Sequence, residues 1–223
     1  VAKARPSTLE RFYHAHGSRS ESGIRARLEV HASSVALCSD AVTIELGVLE
    51  MQSLVLQLDR LNEVIATYEK NIRTVYERVE QKPVCDSIPG AGKAMAPRLA
   101  VAMGCYALLC ENAQELAAYS GVAPLLQRSG KIKRIGKRYR MPKFLHQTFV
   151  ELALWSINHS AWARAYYRHR KDVLKQAHWA ILRSLAFKWI RIIFKCWQTG
   201  TPYDETAYIA SLKMRGSPLA KAL

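Results

Sequence analysis

The residues best suited to chemistry fall in one window. Ser129 is followed by Gly130, which permits close backbone approach, and is flanked by Arg128, Lys131, Lys133 and Arg134. A serine hydroxyl can attack a phosphodiester when cations neutralise the phosphoryl oxygens and stabilise the charge of the transition state. The window continues through Lys137, Arg138, Arg140 and Lys143, so eight cations fall within 16 residues without an acid. Cations this dense repel one another unless a polyanion lies nearby. The blander alternatives are a plain turn at Ser129-Gly130 and a solvated loop around it, and spacing alone leaves them open.

A second group could hold phosphate without attacking it. Residues 86–99 read Asp-Ser-Ile-Pro-Gly-Ala-Gly-Lys-Ala-Met-Ala-Pro-Arg-Leu. Ile88, Gly90, Ala91, Gly92, Ala96 and Leu99 follow the layout of a helix-hairpin-helix element. Two glycines allow a tight turn, and the amides of Gly90, Gly92 and Lys93 at a helix N-terminus can bind an anion. Lys93 and Arg98 add charge. The alternative is a glycine turn between two core helices with no ligand. The nucleotide P-loop pattern, Gly-x-x-x-x-Gly-Lys-Ser/Thr, does not occur here.

Other chemistries fare worse. After residue 81 there are seven acids, Asp86, Glu111, Glu115, Glu151, Asp172, Asp204 and Glu205. A two-metal nuclease needs several converging carboxylates, and the one adjacent pair, Asp204-Glu205, diverges on a helix. No Gly-x-Ser-x-Gly elbow is present. The five cysteines form no Cys-x-x-Cys pair, which suits reduced thiols in a cytoplasmic protein. His14-x-His16 has no cysteine near it, so we assign no metal site and expect no cofactor in this chain.

The charge distribution agrees with a polyanionic partner. The 223 residues carry a net charge of +15, yet residues 1–81 hold 10 basic and 11 acidic side chains, and residues 82–223 hold 23 and 7. A field confined to one half favours nucleic acid over simple solubility. No unbroken run reaches the roughly 18 apolar residues of a membrane span, and no secretory signal follows Val1. We therefore expect no membrane partner.

These groups must be positioned by helices, because strand-type alternation is nearly absent; Ile132 to Tyr139 is the one candidate for a short hairpin. Met51, Leu54, Leu58, Leu61, Ile65, Tyr68, Ile72, Val75 and Val79 repeat in steps of 3 and 4, with no Gly or Pro from Leu49 to Lys82. Such a heptad seam buries itself against another helix. The partner is either residues 24–46 or a second chain, and the length of the repeat favours dimerisation through Leu54, Leu58, Leu61, Ile65, Tyr68 and Ile72. Lys82-Pro83 is expected to end that helix. Phe144, Leu145, Phe149, Leu152, Trp155, Trp162 and Tyr166 have core spacing, as do Leu182, Leu185, Ala186, Trp189, Ile193 and Trp197. Lys188, Arg191 and Lys195 form a separate face of the last long helix. The expected fold is all-α: a polar arm (1–39), a coiled-coil helix (40–82) and a compact helical domain (83–223) ending in a short helix from Asp204 to Met214.

The succession Ser87-Ile-Pro-Gly-Ala-Gly92, Ala118-Tyr-Ser-Gly-Val-Ala-Pro124, Arg128-Ser-Gly130, a basic stretch and a long helix resembles the C-terminal transposase domain of the insertion sequence 110/116/902 family. Leu185-Ala-Phe-Lys-Trp-Ile-Arg191 and Tyr203-Asp-Glu205 resemble its distal signatures, and the heptad helix resembles its preceding coiled coil. The resemblance implies a DNA recombinase in which Ser129 is the nucleophile that forms a phosphoserine link. It implies a structured guide RNA and DNA as partners, a cytoplasmic, nucleoid-associated location, and homo-oligomers. It also implies an N-terminal domain whose Asp-Glu-Asp-Asp set binds Mg²⁺; this chain is expected to begin where that domain ends. The alternative is a truncated, inactive module that binds nucleic acid and dimerises.

Overall fold

A computed structural model describes residues 4–35, 38–130, 132–136 and 138–219; the side chains of residues 126–129 and 132–135 lie outside that description. The all-α expectation holds, with one small addition. The helices are α1 (Pro6–Ala15), α2 (Glu21–Ala32), α3 (Ala41–Tyr76), α4 (Lys82–Asp86), α5 (Gly92–Val101), α6 (Ala113–Tyr119), α7 (Lys143–His159), α8 (Ala161–Arg168), α9 (His178–Thr199) and α10 (Glu205–Met214). Two strands, β1 (Leu125–Ser129) and β2 (Ile132–Gly136), form an antiparallel hairpin between α6 and α7. The chain divides into two compact units, and the division falls within α3, after Val64.

In the first unit, Pro6 opens α1 at a position where its missing N–H costs nothing. Ser20 caps α2 by accepting from the Gly23 amide at 3.2 Å. Arg27 of α2 lies over the Tyr13 ring of α1 and donates to Ser18 Oγ, which ties the two helices together.

The long helix α3 carries the heptad seam. Leu54, Leu58, Leu61, Ile65, Tyr68 and Ile72 are each between 50% and 65% exposed, so the seam is open. The helix stops earlier than Lys82-Pro83: it ends at Tyr76, tight turns follow, and Val79 packs onto the core instead of extending the repeat. Tyr76 sets the stop, because its ring is buried and its hydroxyl donates to Asp86 Oδ1 at 2.7 Å. Pro83 then sits in the first turn of α4, where proline is tolerated. By length and composition α3 would also pass as a membrane span, with mean hydropathy 1.3 over its best 18 residues, as would the bent pair 92–109 and 113–119. The window of α3 that passes, residues 41–58, contains Glu45 and Glu50, and charged residues cost roughly 2.5–3.5 kcal/mol each at a bilayer centre.

The core of the second unit is built by α7 and α9, with α5, α6, α8 and α10 packed around them. Trp162 and Trp189 are fully buried with ring centroids 4.8 Å apart. Their polar ends are satisfied: Trp162 Nε1 donates to Tyr203 Oη at 2.7 Å and Trp189 Nε1 to Ser156 Oγ at 2.8 Å. Trp155, expected in the core, is 52% exposed. Half-buried Gly90 lies against the same stretch of α7: a Cβ there would lie 3.1 Å from the Trp155 carbonyl carbon and Cβ. Asp204 caps α10 through the amides of Thr206 and Ala207. Glu205 turns away from it and accepts from Ser160 Oγ and the Ala161 amide at the start of α8.

Candidate nucleic-acid interface

The basic window is a hairpin, not a loop. Ser129 stands opposite Ile132 in the ladder, and Gly130, which follows Ser129, has the positive φ of 55° that tight hairpin connections demand. The first strand, Leu125–Ser129, lies outside the stretch Ile132 to Tyr139 in which a hairpin was anticipated. Arg128 stands opposite Lys133 in the ladder, and like charges at directly opposed positions are destabilising on their own. Lys131 and Lys137 lie outside the described residues, as do the side chains of Arg128, Ser129, Lys133 and Arg134.

The foot of the hairpin is clamped. After α6, Gly121 adopts φ 70°, and the Val122 and Ala123 amides return to Ala117 O, which closes the helix C-terminus. A Cβ on Gly121 would collide with Met141 Sδ. Five residues on, His146 Nδ1 lies 3.1 Å from Ser120 O. Arg138, Arg140, Glu115 and Tyr119 line a cleft of about 420 Å³ at this foot. Arg140 is exposed, whereas Arg138 Nε is buried and has no hydrogen-bond partner among the described residues. An orphaned buried donor is costly unless an acceptor arrives. Nothing in the sequence singles out Arg138 from the seven other cations of the window.

The glycine turn belongs to the same unit. Gly90 (φ 85°) and Gly92 (φ 33°) shape the connection from α4 to α5. Gly90 owes its identity to contact with the α7 backbone, a reason that sequence spacing does not reveal. Gly92 and Lys93 are exposed at the start of α5, and no side chain caps that end. Its first amides are therefore open to an anion. Lys93 and Arg98 line a groove of about 490 Å³ with Ile72, Arg73, Pro97 and Phe144. Arg98 is already engaged: it pairs with Glu151 at 2.5 Å and lies over the Phe144 ring. Burial works to raise the Glu151 carboxyl, but hydrogen bonds from Gln147 and Arg98 and the Arg98 charge outweigh it and hold it below the ordinary value.

The carboxylates after residue 81 do not converge. Asp86 serves Tyr76 and Lys82, Glu115 serves the Glu111 amide and Asn112, Glu151 serves Arg98, and Asp204 and Glu205 cap helices. They do not fit a Mg²⁺ site, and no step is derived through one. In the first unit Glu10, His14 and Glu21 bring their ligand atoms within 4.8 Å of one another, all exposed. His16 points elsewhere, with Nδ1 2.8 Å from Phe12 O. All five cysteines are free thiols; burial, then the Asp86 charge, pushes the Cys85 thiol up to about 12, so it is inert.

Residues 83–168 match the model of the family described as Transposase IS116/IS110/IS902. That segment runs from α4 to the end of α8 and contains the glycine turn, the hairpin and its clamp. The chain is also 24% identical over 163 residues to a mini-circle putative transposase for IS117 from Streptomyces coelicolor. The alignment covers 73% of this chain and 39% of that relative, so the chain spans well under half the relative's length.

Proposed function

We propose that this chain, whose residues 83–168 match the model of the IS116/IS110/IS902 transposase family, acts as the C-terminal part of a DNA transposase that cuts and rejoins DNA through Ser129, guided by a structured RNA. Ser129 Oγ attacks a backbone phosphorus. The Oγ–P bond forms as the bond from phosphorus to one deoxyribose oxygen breaks. The serine proton passes to solvent, and the departing sugar oxygen takes up a proton. Rejoining is the reverse with a new sugar hydroxyl. Arg128, Lys131 and Arg134 neutralise the phosphoryl oxygens, with Lys133, Lys137, Arg138 and Arg140 extending the field. Gly90, Gly92 and Lys93 hold a neighbouring stretch of backbone, in a helix-hairpin-helix manner. Two chains join through the α3 seam as a coiled coil. The work is done in the cytoplasm, on the nucleoid.

What supports this reading is the position of Ser129. It ends β1, one residue before a glycine of positive φ, on a hairpin whose opposed ladder positions include two cations and whose foot holds an unpaired arginine donor. A second reading is a nucleic-acid-binding dimerisation module without turnover. The engaged carboxylates favour it, because Mg²⁺ would have to be held by acidic residues other than these.

The test offers the protein duplex DNA, guide RNA and Mg²⁺ with the family's acidic domain supplied in trans. A denaturation-resistant protein–DNA adduct is expected, and Ser129→Ala should abolish it while affinity stays within a few-fold. No adduct under these conditions would leave only the binding module.

A further inference from the structure

A second cluster of cations lies on α9 and α10, beyond the segment that the family model covers. Lys188, Arg191 and Lys195 fall along one stripe of α9, and Arg215 follows α10. Together they line a cavity of about 560 Å³ that also exposes the Tyr208 ring. Among the described residues none of the four forms an ion pair. The one acid on the cavity wall, Asp204, is spent on the Thr206 and Ala207 amides. Arg170 adds a fifth positive charge from the turn after α8, and the Tyr166 ring lies between it and Lys188, at 4.8 Å and 5.1 Å.

This arrangement is built rather than incidental. The Tyr166 hydroxyl donates to Ser184 Oγ, which fixes the ring that both cations face. Arg215 Nε donates to Ser211 O, which holds its guanidinium beside the cavity. Burial first, then the charges of Arg170 and Arg191, lower the Lys188 pKa from its ordinary value. Arg191 of α9 and Arg215, just past the end of α10, line the same cavity as Tyr208; burial raises the Tyr208 hydroxyl above its ordinary value, and the two arginine charges work against that rise. Four cations set against the single carboxylate of Asp204 leave the cavity with a net positive charge, and an anion seated among them would relieve their repulsion.

We propose that the α9–α10 cavity is a second phosphodiester-binding site, in which Lys188, Arg191, Lys195 and Arg215 grip the backbone of a nucleic acid at a place separate from the Ser129 hairpin. The site rests on the reading that the chain binds nucleic acid. Backbone contact by lysine and arginine positions a strand without reading its sequence. Chain length also matters, since a strand held at two separated places gains effective concentration at the second. The same chemistry serves RNA and DNA, so both belong in the test.

The experiment uses the full chain and fluorescence anisotropy with a labelled RNA hairpin and, separately, a labelled DNA duplex, across a salt series. Arg191→Gln/Lys195→Gln/Arg215→Gln changes three exposed side chains, so folding should be unaffected, and circular dichroism checks this. Roughly tenfold weaker binding of at least one nucleic acid is expected, with the slope of log K against log salt reduced by about 2 to 3. The nucleic acid that loses affinity is the occupant. Wild-type affinity and slope for both would overturn the proposal. Lys131→Gln/Lys133→Gln/Arg134→Gln in parallel separates the two sites: a loss in this variant alone sinks only the α9–α10 site, and no loss in either variant sinks the nucleic-acid reading as well.

Discussion

Met141 fills the space that a side chain at residue 121 would need, and this contact closes the base of the hairpin that carries Ser129. Gly121 is demanded twice, by a φ of 70° and by the Met141 sulfur. Gly121→Ala should therefore add a left-handed backbone penalty of roughly 1–2 kcal/mol to an overpacking penalty of about 1–3 kcal/mol. Thermal unfolding followed by circular dichroism should show a midpoint lower by several degrees. An unchanged midpoint would mean that the foot of the hairpin is looser than the Gly121–Met141 contact implies.

The hairpin cations make a prediction that is separable from stability. Lys131→Gln/Lys133→Gln/Arg134→Gln removes three charges from the tip and β2. Each phosphate contact contributes about 0.9 to the slope of log K against log salt on duplex DNA. If all three touch backbone, the slope should fall by about 2 to 3, measured by anisotropy between 50 and 200 mM salt (the span over which roughly 6–10 contacts are known to matter). A slope equal to that of the parent would move the contact surface away from the hairpin.

The parts of the fold that were legible in the sequence are those whose signal is local. The helical heptad of α3, the short helix expected from Asp204 to Met214, and the core spacing of Trp162 and Trp189 are short-range patterns, and they appear close to where the sequence puts them. The hairpin was only half visible: β2 lies within the stretch Ile132 to Tyr139 that was expected to turn back on itself, while β1, Leu125–Ser129, lies before it. Trp155 misled for a non-local reason: a glycine 65 positions earlier comes against its backbone. Arg98 resembled a phosphate ligand by charge and position, while its partner Glu151 lies 53 residues away. The Tyr203 amide donates to Ser87 Oγ across 116 residues, and no spacing rule anticipates that bond. The candidate site is thus legible as composition, and its geometry depends on contacts that only the fold creates.

The Arg98–Glu151 pair gives a pH signature. The folded Glu151 carboxyl sits below its ordinary value of 4.5, so its contribution to stability is fully present above that value. It is lost as the pH falls through the folded value, where the folded state takes up its proton. The Glu151 side chain is 35% exposed, so solvent screening limits the pair to about 1 kcal/mol. Glu151→Gln should lower stability by about that much at pH 7. In denaturant titrations the gap from wild type should stay constant above the ordinary carboxyl value and close as the pH falls below it through the lower, folded value. A gap independent of pH would show that the loss comes from packing, not charge.

The open seam of α3 makes the sharpest prediction about assembly. Leu58, Ile65 and Ile72 are exposed at 60%, 53% and 50%, so aspartate at these positions should leave the folded single chain nearly undisturbed. In a coiled coil the same carboxylates would be buried between helices, where an unpaired charge costs several kcal/mol. Leu58→Asp/Ile65→Asp/Ile72→Asp should therefore sediment as a monomer where the parent sediments as a dimer, with the thermal midpoint of the core retained. A dimer that survives all three substitutions would place the contact between chains on some other surface, and α3 would then need another explanation for its eight apolar residues in heptad register, Met51 to Val75.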